Sequence, residues 1–414
     1  MALQKENFIL SAKSTKISAT MYPTKKLSEI CTIGDGNHSS KYPKKDEMVS
    51  IGIPFIRANN LYNGGISWDE MKFITKEKHE ILKKGHLKTN DILFTNRGEI
   101  GKVAILWNDF DNSNLNSQIA WLRSYSELNY KFLYYFLISP IMQWFYLKEK
   151  NGTALQQLTI RQISNIEIPL PPLSSQLSIV ARLDSAMTEI DEAHRQTESA
   201  LASAREVWES TLESVFAGGG EGWEEKRLGE ILQKTETINP TKRPEIEFIY
   251  LDVSSVNKET KKIENAVLLL GKDAPSRARK LIRTHDIIFA TVRPTHNRVA
   301  IITAEYNQQV CSTGYFVLRS NGVVSSNFIY NFLRTASFNK QMEALQKWAS
   351  YPAVTDTEVK QIKIFFPKSL PEQSRIVAHL DAVRAETESL EKLYTEKLAS
   401  FDELRRSILQ EAFS

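Results

Sequence analysis

The feature that most constrains this sequence is an internal repeat. Leu173–Phe216 aligns without gaps to Leu370–Phe413, and 15 of the 44 aligned positions are identical. Weaker similarity precedes each copy, where Lys88–Phe94 matches Arg283–Phe289. Self-similarity at a fixed offset indicates a repeated structural unit. We therefore predict a tandem duplication in which a globular domain is followed by a long helix, twice.

Both repeated segments have the pattern of a long amphipathic helix. In the first copy a seam residue recurs every three or four positions from Leu183 to Val215, which is a heptad pattern. Prolines at 169, 171 and 172 precede this helix, and glycines at 218–220 follow it. Because neither helix can bury its seam alone, we expect the two to pack as an antiparallel coiled coil with pseudo-two-fold symmetry.

The apolar stripe on each helix is wider than a two-stranded seam requires. We interpret the surplus as a surface that binds a partner protein. An alternative is that the surplus packs on the chain's own globular domains. The surplus residues are Val180, Val207, Leu212, Leu393, Leu398 and Leu409.

Charge is distributed unevenly along the chain. Residues 1–172 and 218–369 each carry a net charge of +6, whereas the two helical segments carry −5 and −3. A basic domain can neutralise phosphates and release counterions, whereas an acidic helix repels nucleic acid and suits protein partners. The overall charge of +4 therefore conceals two basic domains and two acidic helices.

The globular segments alternate short strand-like runs with loops rich in Gly, Asn, Ser and Pro, which favours an α+β fold. We also expect helices at 128–149 and 326–347. The strand-like runs are 53–56, 91–94, 103–106, 248–251, 287–290 and 299–302.

Polar and basic side chains gather in the loops of both domains. Arg, Asn, His and Ser can read base edges, whereas Lys and Arg can position phosphates. Each residue alone is more simply a solvated surface side chain, but the concentration in two parallel domains favours DNA binding. The candidates are Asn37, His38, Ser39, Lys41, Arg57, Asn59, Arg97, Arg277, Arg279, Arg293, His296, Asn297, Arg298 and Tyr351.

Motifs of catalytic and metal-binding sites are missing from the sequence. It has no phosphate-binding loop, no HExxH and no methyltransferase motif, and its two cysteines, Cys31 and Cys311, lie far apart. We therefore predict no catalytic or metal-binding residues. No secretory signal or membrane-spanning run is visible, which favours a cytoplasmic protein.

The helix motif resembles that of one known family. Residues 169–184 (PLPPLSSQLSIVARLD) and 366–381 (FPKSLPEQSRIVAHLD) are similar to motifs of the specificity subunits of type I restriction-modification systems. Residues 52–57, 97–104, 276–279 and 349–354 resemble parts of that family's target-recognition domains.

The resemblance implies two target-recognition domains that each read one half of a bipartite, asymmetric DNA sequence, with the helices setting the spacer. It also implies that the helices bind two modification subunits and that restriction subunits join the complex. S-adenosylmethionine and ATP with Mg²⁺ would be bound by those partners, and this chain would bind no cofactor and carry out no catalysis. The expected segments are an arm at 1–20, domains at 21–168 and 219–366, and helices at 169–218 and 367–414.

Two alternatives from other classes remain. One is a self-sufficient DNA nuclease or methyltransferase, against which the missing motifs argue. The other is a helical scaffold that gathers protein partners without reading DNA, which would leave the loop chemistry unexplained.

Overall fold

A computed structural model describes residues 22–38, 42–149, 157–219, 221–346 and 352–413. The expected arm at 1–20 lies outside these residues. The chain divides into two compact units, one formed by residues up to Thr197 and from Glu396 onward, the other by Glu198–Thr395. Each unit thus combines a globular domain with part of both long helices.

The first unit is a mixed α+β domain. Its helices are α1 Leu27–Ile30, α2 Lys76–Ile81, α3 Tyr130–Ile138, α4 Pro140–Glu149 and α5 Ile160–Ser164, followed by the long α6, Leu173–Phe216. Its strands are β1 Thr24–Lys26, β2 Cys31–Asp35, β3 Ile53–Ile56, β4 Leu61–Tyr62, β5 Gly65–Ile66, β6 Lys72–Ile74, β7 Ile92–Thr95, β8 Val103–Ile105, β9 Asn114–Leu115, β10 Ile119–Ser124 and β11 Glu167–Pro169.

The second unit repeats this arrangement. Its helices are α7 Ser326–Phe332, α8 Ala336–Leu345 and α9 Asp356–Lys360, followed by the long α10, Leu370–Phe413. Its strands are β12 Trp223–Arg227, β13 Glu247–Leu251, β14 Val267–Leu270, β15 Ala278–Leu281, β16 Ile287–Ala290, β17 Val299–Ile301, β18 Val310–Ser312, β19 Tyr315–Leu318 and β20 Lys363–Pro367.

The sheets of the two units share the same order of central strands. In the first unit the order β2-β10-β7-β8 is antiparallel throughout, and a second sheet has the order β6-β3-β9 with β3 and β9 parallel. In the second unit β17-β16-β19 corresponds to β8-β7-β10, and β13 and β18 form the matching parallel pair. The structure confirms the α+β class and the predicted strands.

The two helices expected at 128–149 and 326–347 are each broken in two. Pro140 interrupts the first because it has no N–H to donate to Phe136, and it begins α4 instead. Thr335 caps α8 by accepting a hydrogen bond from the Phe338 N–H at 3.1 Å. The apolar pattern across each break is therefore that of two short helices packed on one core.

The two long helices run antiparallel in both units. In the first unit Arg405 pairs with Asp191, and the ring of Phe401 lies 6.4 Å from that of His194. In the second unit Arg205 pairs with Glu391 at 3.9 Å. Along these contacts the residue numbers of one helix rise as those of the other fall. The structure therefore confirms the predicted antiparallel pairing.

The heptad seam of α6 faces inward as expected. Leu183, Ile190, Thr197, Ala204 and Trp208 are all buried. Most of the seam positions between them are half-buried. Since an isolated helix derives little stability from its own hydrogen bonds, this seam is what makes so long a helix stable.

Half of the expected partner-binding surface belongs instead to the chain's own cores. Val180 and Leu409 are buried in the core of the first unit, and Leu212 is buried in that of the second. The expectation that these three face a partner is therefore wrong, because the globular domains cover this side of the helices. Val207 and Leu393 are exposed, and Leu398 is half-buried.

A buried glutamine fastens each long helix to its domain. The Gln176 carbonyl oxygen accepts a hydrogen bond from the Asn129 N–H at 2.8 Å, and its amide donates to the carbonyl oxygens of Glu127 and Pro171 at 2.9 Å each. Gln373 makes the equivalent set with the Ser325 N–H and the carbonyl oxygens of Val323 and Pro367. Both glutamines are fully buried.

A bidentate ion pair is likewise repeated in the two sheets. Arg123 binds both carboxylate oxygens of Asp91 at 2.7 Å, and Arg319 binds both of Asp286 at 2.7 Å. The hydrogen bonds to Asp91 raise the pKa of the Arg123 guanidinium. The similarity between 88–94 and 283–289 thus records a shared structural framework.

None of the helices that the structure describes has both the length and the apolar character needed to cross a membrane.

We predict that Gln176→Leu and Gln373→Leu each lower the free energy of unfolding by about 1–3 kcal/mol. Each substitution leaves buried backbone groups without hydrogen-bond partners. Urea denaturation followed by tryptophan fluorescence measures this. Leu177→Ala, at a half-exposed neighbouring position, is the matched control and should have little effect. Unchanged stability of both glutamine variants would show that these hydrogen bonds do not fasten the helices.

Candidate nucleic-acid interface

The predicted loop residues of the first unit converge at one end of its sheets. Thr95 at the end of β7 lies opposite Ile119 at the start of β10, and Ala120 lies opposite Asp35 at the end of β2. The Asn116 N–H donates to the Ile56 carbonyl oxygen at 2.9 Å, which brings the end of β3 to the same place. We call residues 35–38, 57–59, 96–97 and 116–118 the first loop cluster.

The backbone of the first loop cluster is tightly packed. A Cβ atom on Gly36 would lie 2.4 Å from the Asn116 carbonyl oxygen, so only glycine fits there. Arg97 forms an isolated β-bridge with Gln157. The Asn96 N–H donates to the Gln118 carbonyl oxygen at 3.0 Å, so the loops that follow β2, β7 and β9 are held against one another by their main chains.

Three side chains of this cluster form a hydrogen-bonded chain. Nε2 of His38 lies 2.7 Å from Oδ2 of Asp35, and Nδ1 of His38 lies 3.1 Å from Nη1 of Arg97. Because a guanidinium can only donate, Nδ1 must accept, and a neutral His38 that donates from Nε2 to Asp35 satisfies both contacts. Asp35 also pairs with Lys84 at 3.3 Å. The arrangement holds the Arg97 guanidinium in one orientation.

The other candidates of the first unit differ in exposure. Arg57 is half-buried and donates to the Glu70 carbonyl oxygen at 2.6 Å, and Asn59 is exposed. Asn37 is 8% exposed, which corrects the expectation that its side chain faces DNA. Ser39 and Lys41 lie outside the described residues.

The second unit has a corresponding cluster at the equivalent strand ends. Ala290 at the end of β16 lies opposite Tyr315 at the start of β19. Val292 forms an isolated β-bridge with Ala353, as Arg97 does with Gln157 in the first unit. We call residues 277–279, 291–298, 312–314 and 352–353 the second loop cluster.

Backbone hydrogen bonds connect the parts of this cluster. The Thr313 N–H donates to the Arg277 carbonyl oxygen at 2.8 Å, and the Thr291 N–H donates to that of Gly314 at 2.9 Å. The structure thus brings Arg277 and the loop after β16 to one edge. Tyr351 lies outside the described residues.

The basic candidates of the second unit are held in different ways. Arg277, Arg293 and His296 are exposed, whereas Arg279 bonds to the carbonyl oxygen of Ala278, its own neighbour, at 2.7 Å. Asn297 is 9% exposed and donates to a backbone carbonyl oxygen, which corrects the expectation that it faces DNA.

Several residues of these clusters escaped the sequence analysis. Gln118 is exposed and accepts a hydrogen bond from the Asn116 amide at 3.0 Å, and Lys84 and Lys261 contact residues of the first and second cluster respectively. The strands β9 and β10 that flank Gln118 were not predicted. Lys84 and Lys261 lie far in sequence from the residues they contact, and no local pattern marks them.

The two cysteines are core residues. Burial raises the pKa of the Cys31 and Cys311 thiols to about 12, so both stay protonated and unreactive near neutral pH. Within the described ranges, no three His, Cys, Asp or Glu side chains are grouped as metal ligands.

Comparison with known proteins identifies the family. A family described as "Type I restriction modification DNA specificity domain" matches residues 21–201 and 220–398. The specificity subunit of the type I restriction enzyme EcoBI of Escherichia coli is 29% identical over 171 residues, which are 41% of this chain and 36% of that protein. Against this relative the match therefore spans about a third of the relative's length.

Other relatives are matched over most of their length. The putative type I restriction enzyme MjaX specificity subunit of Methanocaldococcus jannaschii is 23% identical over 84% of this chain and 86% of that protein. The fold is similar to a chain from a solved structure entitled "Structural basis underlying complex assembly and conformational transition of the type I R-M system", with a TM-score of 0.74, 20% identity and coverage of 95% and 97%. With two matched copies of its domain, this chain belongs to the family of type I restriction-modification DNA specificity proteins.

Proposed function

We propose that this chain is the DNA-recognition subunit of a type I restriction-modification complex and that its two loop clusters read the two halves of a bipartite, asymmetric DNA sequence. The observation that carries this proposal is the placement of different side chains on one repeated scaffold. Arg97 and Val292 occupy equivalent bridge positions in the two units. Similar scaffolds with different side chains suit two different half-sites.

We propose that partner subunits carry out catalysis. We also propose that the complex works in the cytoplasm. Two modification subunits bind the long helices and hold S-adenosylmethionine, and restriction subunits hold ATP and Mg²⁺. The exposed apolar residues on otherwise acidic helices support protein docking there. The chain itself contributes sequence recognition and binds none of these cofactors.

For the first half-site we predict that Arg97 reads a base. The guanidinium is oriented by His38 and Asp35, and an oriented arginine suits bidentate bonding to guanine. Arg97→Gln should lower affinity by roughly tenfold to a hundredfold and relax preference at one position of the first half-site. Fluorescence anisotropy with the duplex found by methylome sequencing, and with its single-base variants, measures this.

Two control variants accompany Arg97→Gln. Arg97→Lys keeps the charge but loses the planar fork, and should relax specificity similarly. Lys25→Gln removes a charge that pairs with Glu127 outside the first loop cluster, and should change neither affinity nor preference. Equal loss of affinity for every DNA sequence in Arg97→Gln would mean that this residue contacts phosphate instead.

We predict that the paired helices set the spacer between the half-sites. Deleting residues 195–201 and 395–401 removes one heptad from facing parts of α6 and α10, preserves the seam and leaves Val207 and Leu393 in place. Seven helical residues rise about 10 Å, so the preferred spacer should shorten by roughly three base pairs. Methylome sequencing of cells carrying the altered system reads the outcome. An unchanged spacer with altered half-sites would refute the assignment.

We predict that Val207 and Leu393 contact a modification subunit. They are 57% and 52% exposed on the acidic helices. Val207→Glu with Leu393→Glu should reduce co-purification of that subunit at least tenfold while leaving the thermal stability of this chain unchanged. Glu206→Gln with Lys392→Gln alters neighbouring polar positions as the control. Full co-purification of the apolar double variant would place the docking surface elsewhere.

A further inference from the structure

The loop after β16 is the most strained segment of the second loop cluster. Arg293 and Asn297 both adopt left-handed backbone conformations, with φ of 49° and 46°, and they bracket the short 3₁₀ turn Pro294–His296. Asparagine tolerates this region, but arginine rarely adopts it, so the geometry of Arg293 persists only where the surroundings enforce it. Backbone strain of this kind is concentrated at functional sites, where a fixed loop conformation is needed.

Contacts from two other segments hold the ends of this loop. The Arg293 N–H donates to the Pro352 carbonyl oxygen at 2.8 Å. The Asn297 amide nitrogen donates to the Leu333 carbonyl oxygen, at the end of α7, at 2.7 Å. These bonds fix the turn relative to the core before any ligand arrives.

A half-buried lysine provides the third support. The Lys261 ammonium donates to the Asn297 carbonyl oxygen at 2.7 Å and to that of Lys258 at 2.6 Å. Burial, together with the nearby Arg334 and Arg298 guanidinium groups, lowers the pKa of Lys261 to about 8. Val256 and Ile263 form an antiparallel bridge, and Lys261 ties the turn between them to the strained turn.

Two arginines and a histidine border the turn. Arg293 and His296 are exposed on it, and the Arg298 guanidinium donates to the Val256 carbonyl oxygen beside it. Partial burial, then the charges of Arg298, Arg293 and Lys258, lowers the pKa of His296. In the described part of the chain, neither Arg293 nor Arg298 forms an ion pair with a carboxylate. The nearby acid, Glu259, pairs with Lys258 at 3.6 Å.

On the basis of the proposed function, we propose that this loop is a preorganised phosphate clamp, in which Arg293, His296 and Arg298 bind one phosphate of the DNA backbone and Lys261 positions them. The two unpaired guanidinium charges of Arg293 and Arg298 match the charge of a phosphate, and the neutral His296 imidazole can donate one N–H to it. The first loop cluster is different, since it contains a carboxylate, Asp35, which pairs with Lys84 and accepts a hydrogen bond from His38. The clamp therefore sets the register of the second half-site without reading its bases.

Chemical neutralisation of single phosphates tests the clamp. The full-length chain, with its modification subunits, is titrated with the bipartite duplex found by methylome sequencing, carrying one methylphosphonate at a time around the second half-site. One such substitution should weaken binding by the wild type but have no further effect on Arg293→Gln. That variant should also reduce the slope of log affinity against log salt by about 1, with unchanged base preference.

The positioning role of Lys261 has its own variants. Lys261→Met should weaken binding about as much as Arg293→Gln, and Lys261→Arg should restore most of the affinity because it can still donate to both carbonyl oxygens. Lys262→Met removes the same charge from the adjacent exposed position and should change affinity much less. Thermal denaturation identifies any variant that is unfolded, and Arg293→Gln then decides the question.

Three outcomes separate the hypotheses. Altered base preference in Arg293→Gln would make the loop a base reader and overturn the clamp. Unchanged affinity and salt slope in Arg293→Gln, with Arg97→Gln still impaired, would overturn the clamp and leave the proposed function standing. No specific DNA binding by the assembled wild-type complex would overturn the proposed function itself.

Discussion

The pairing of the two 44-residue helices is the interaction on which the rest of the structure depends. Each helix has an apolar seam that a single helix in water could not bury. The two repeated helices bury these seams against each other. The same helices then enter the cores of the globular domains, with Leu212 in one and Leu409 in the other. Removing the pairing would therefore uncover the domains as well.

The long helices and the central strands could be predicted from the sequence because both are duplicated in it. The repeat predicted the antiparallel helices, and the similarity around Asp91 and Asp286 marked strands that carry the same ion pair. It did not reveal the break at Pro140, because apolar periodicity continues across it. It also assigned Val180 to a partner, since a helical pattern shows which positions are apolar but not what covers them.

Individual site residues were harder to predict than their loops. The loops after β2, β7 and β16 were found from composition, but the asparagines at 37 and 297 are buried, and Asn297 holds the main chain. The supporting residues Lys84 and Lys261 reach their contacts through the tertiary fold. The first loop cluster contains the carboxylate of Asp35, whereas the second contains no Asp or Glu. This difference became visible only once the fold showed which residues lie together.

The first compact unit is discontinuous along the chain. Phe413 is almost fully buried, with its ring 5.3 Å from that of Phe132 and 5.6 Å from that of Phe136. A ribosome adds Phe132 and Phe136 long before it adds Phe413. Until Phe413 has been synthesised, the part of the aromatic core that it covers in that unit is open to solvent. The first unit is thus completed by residues that are synthesised only after the whole of the second unit.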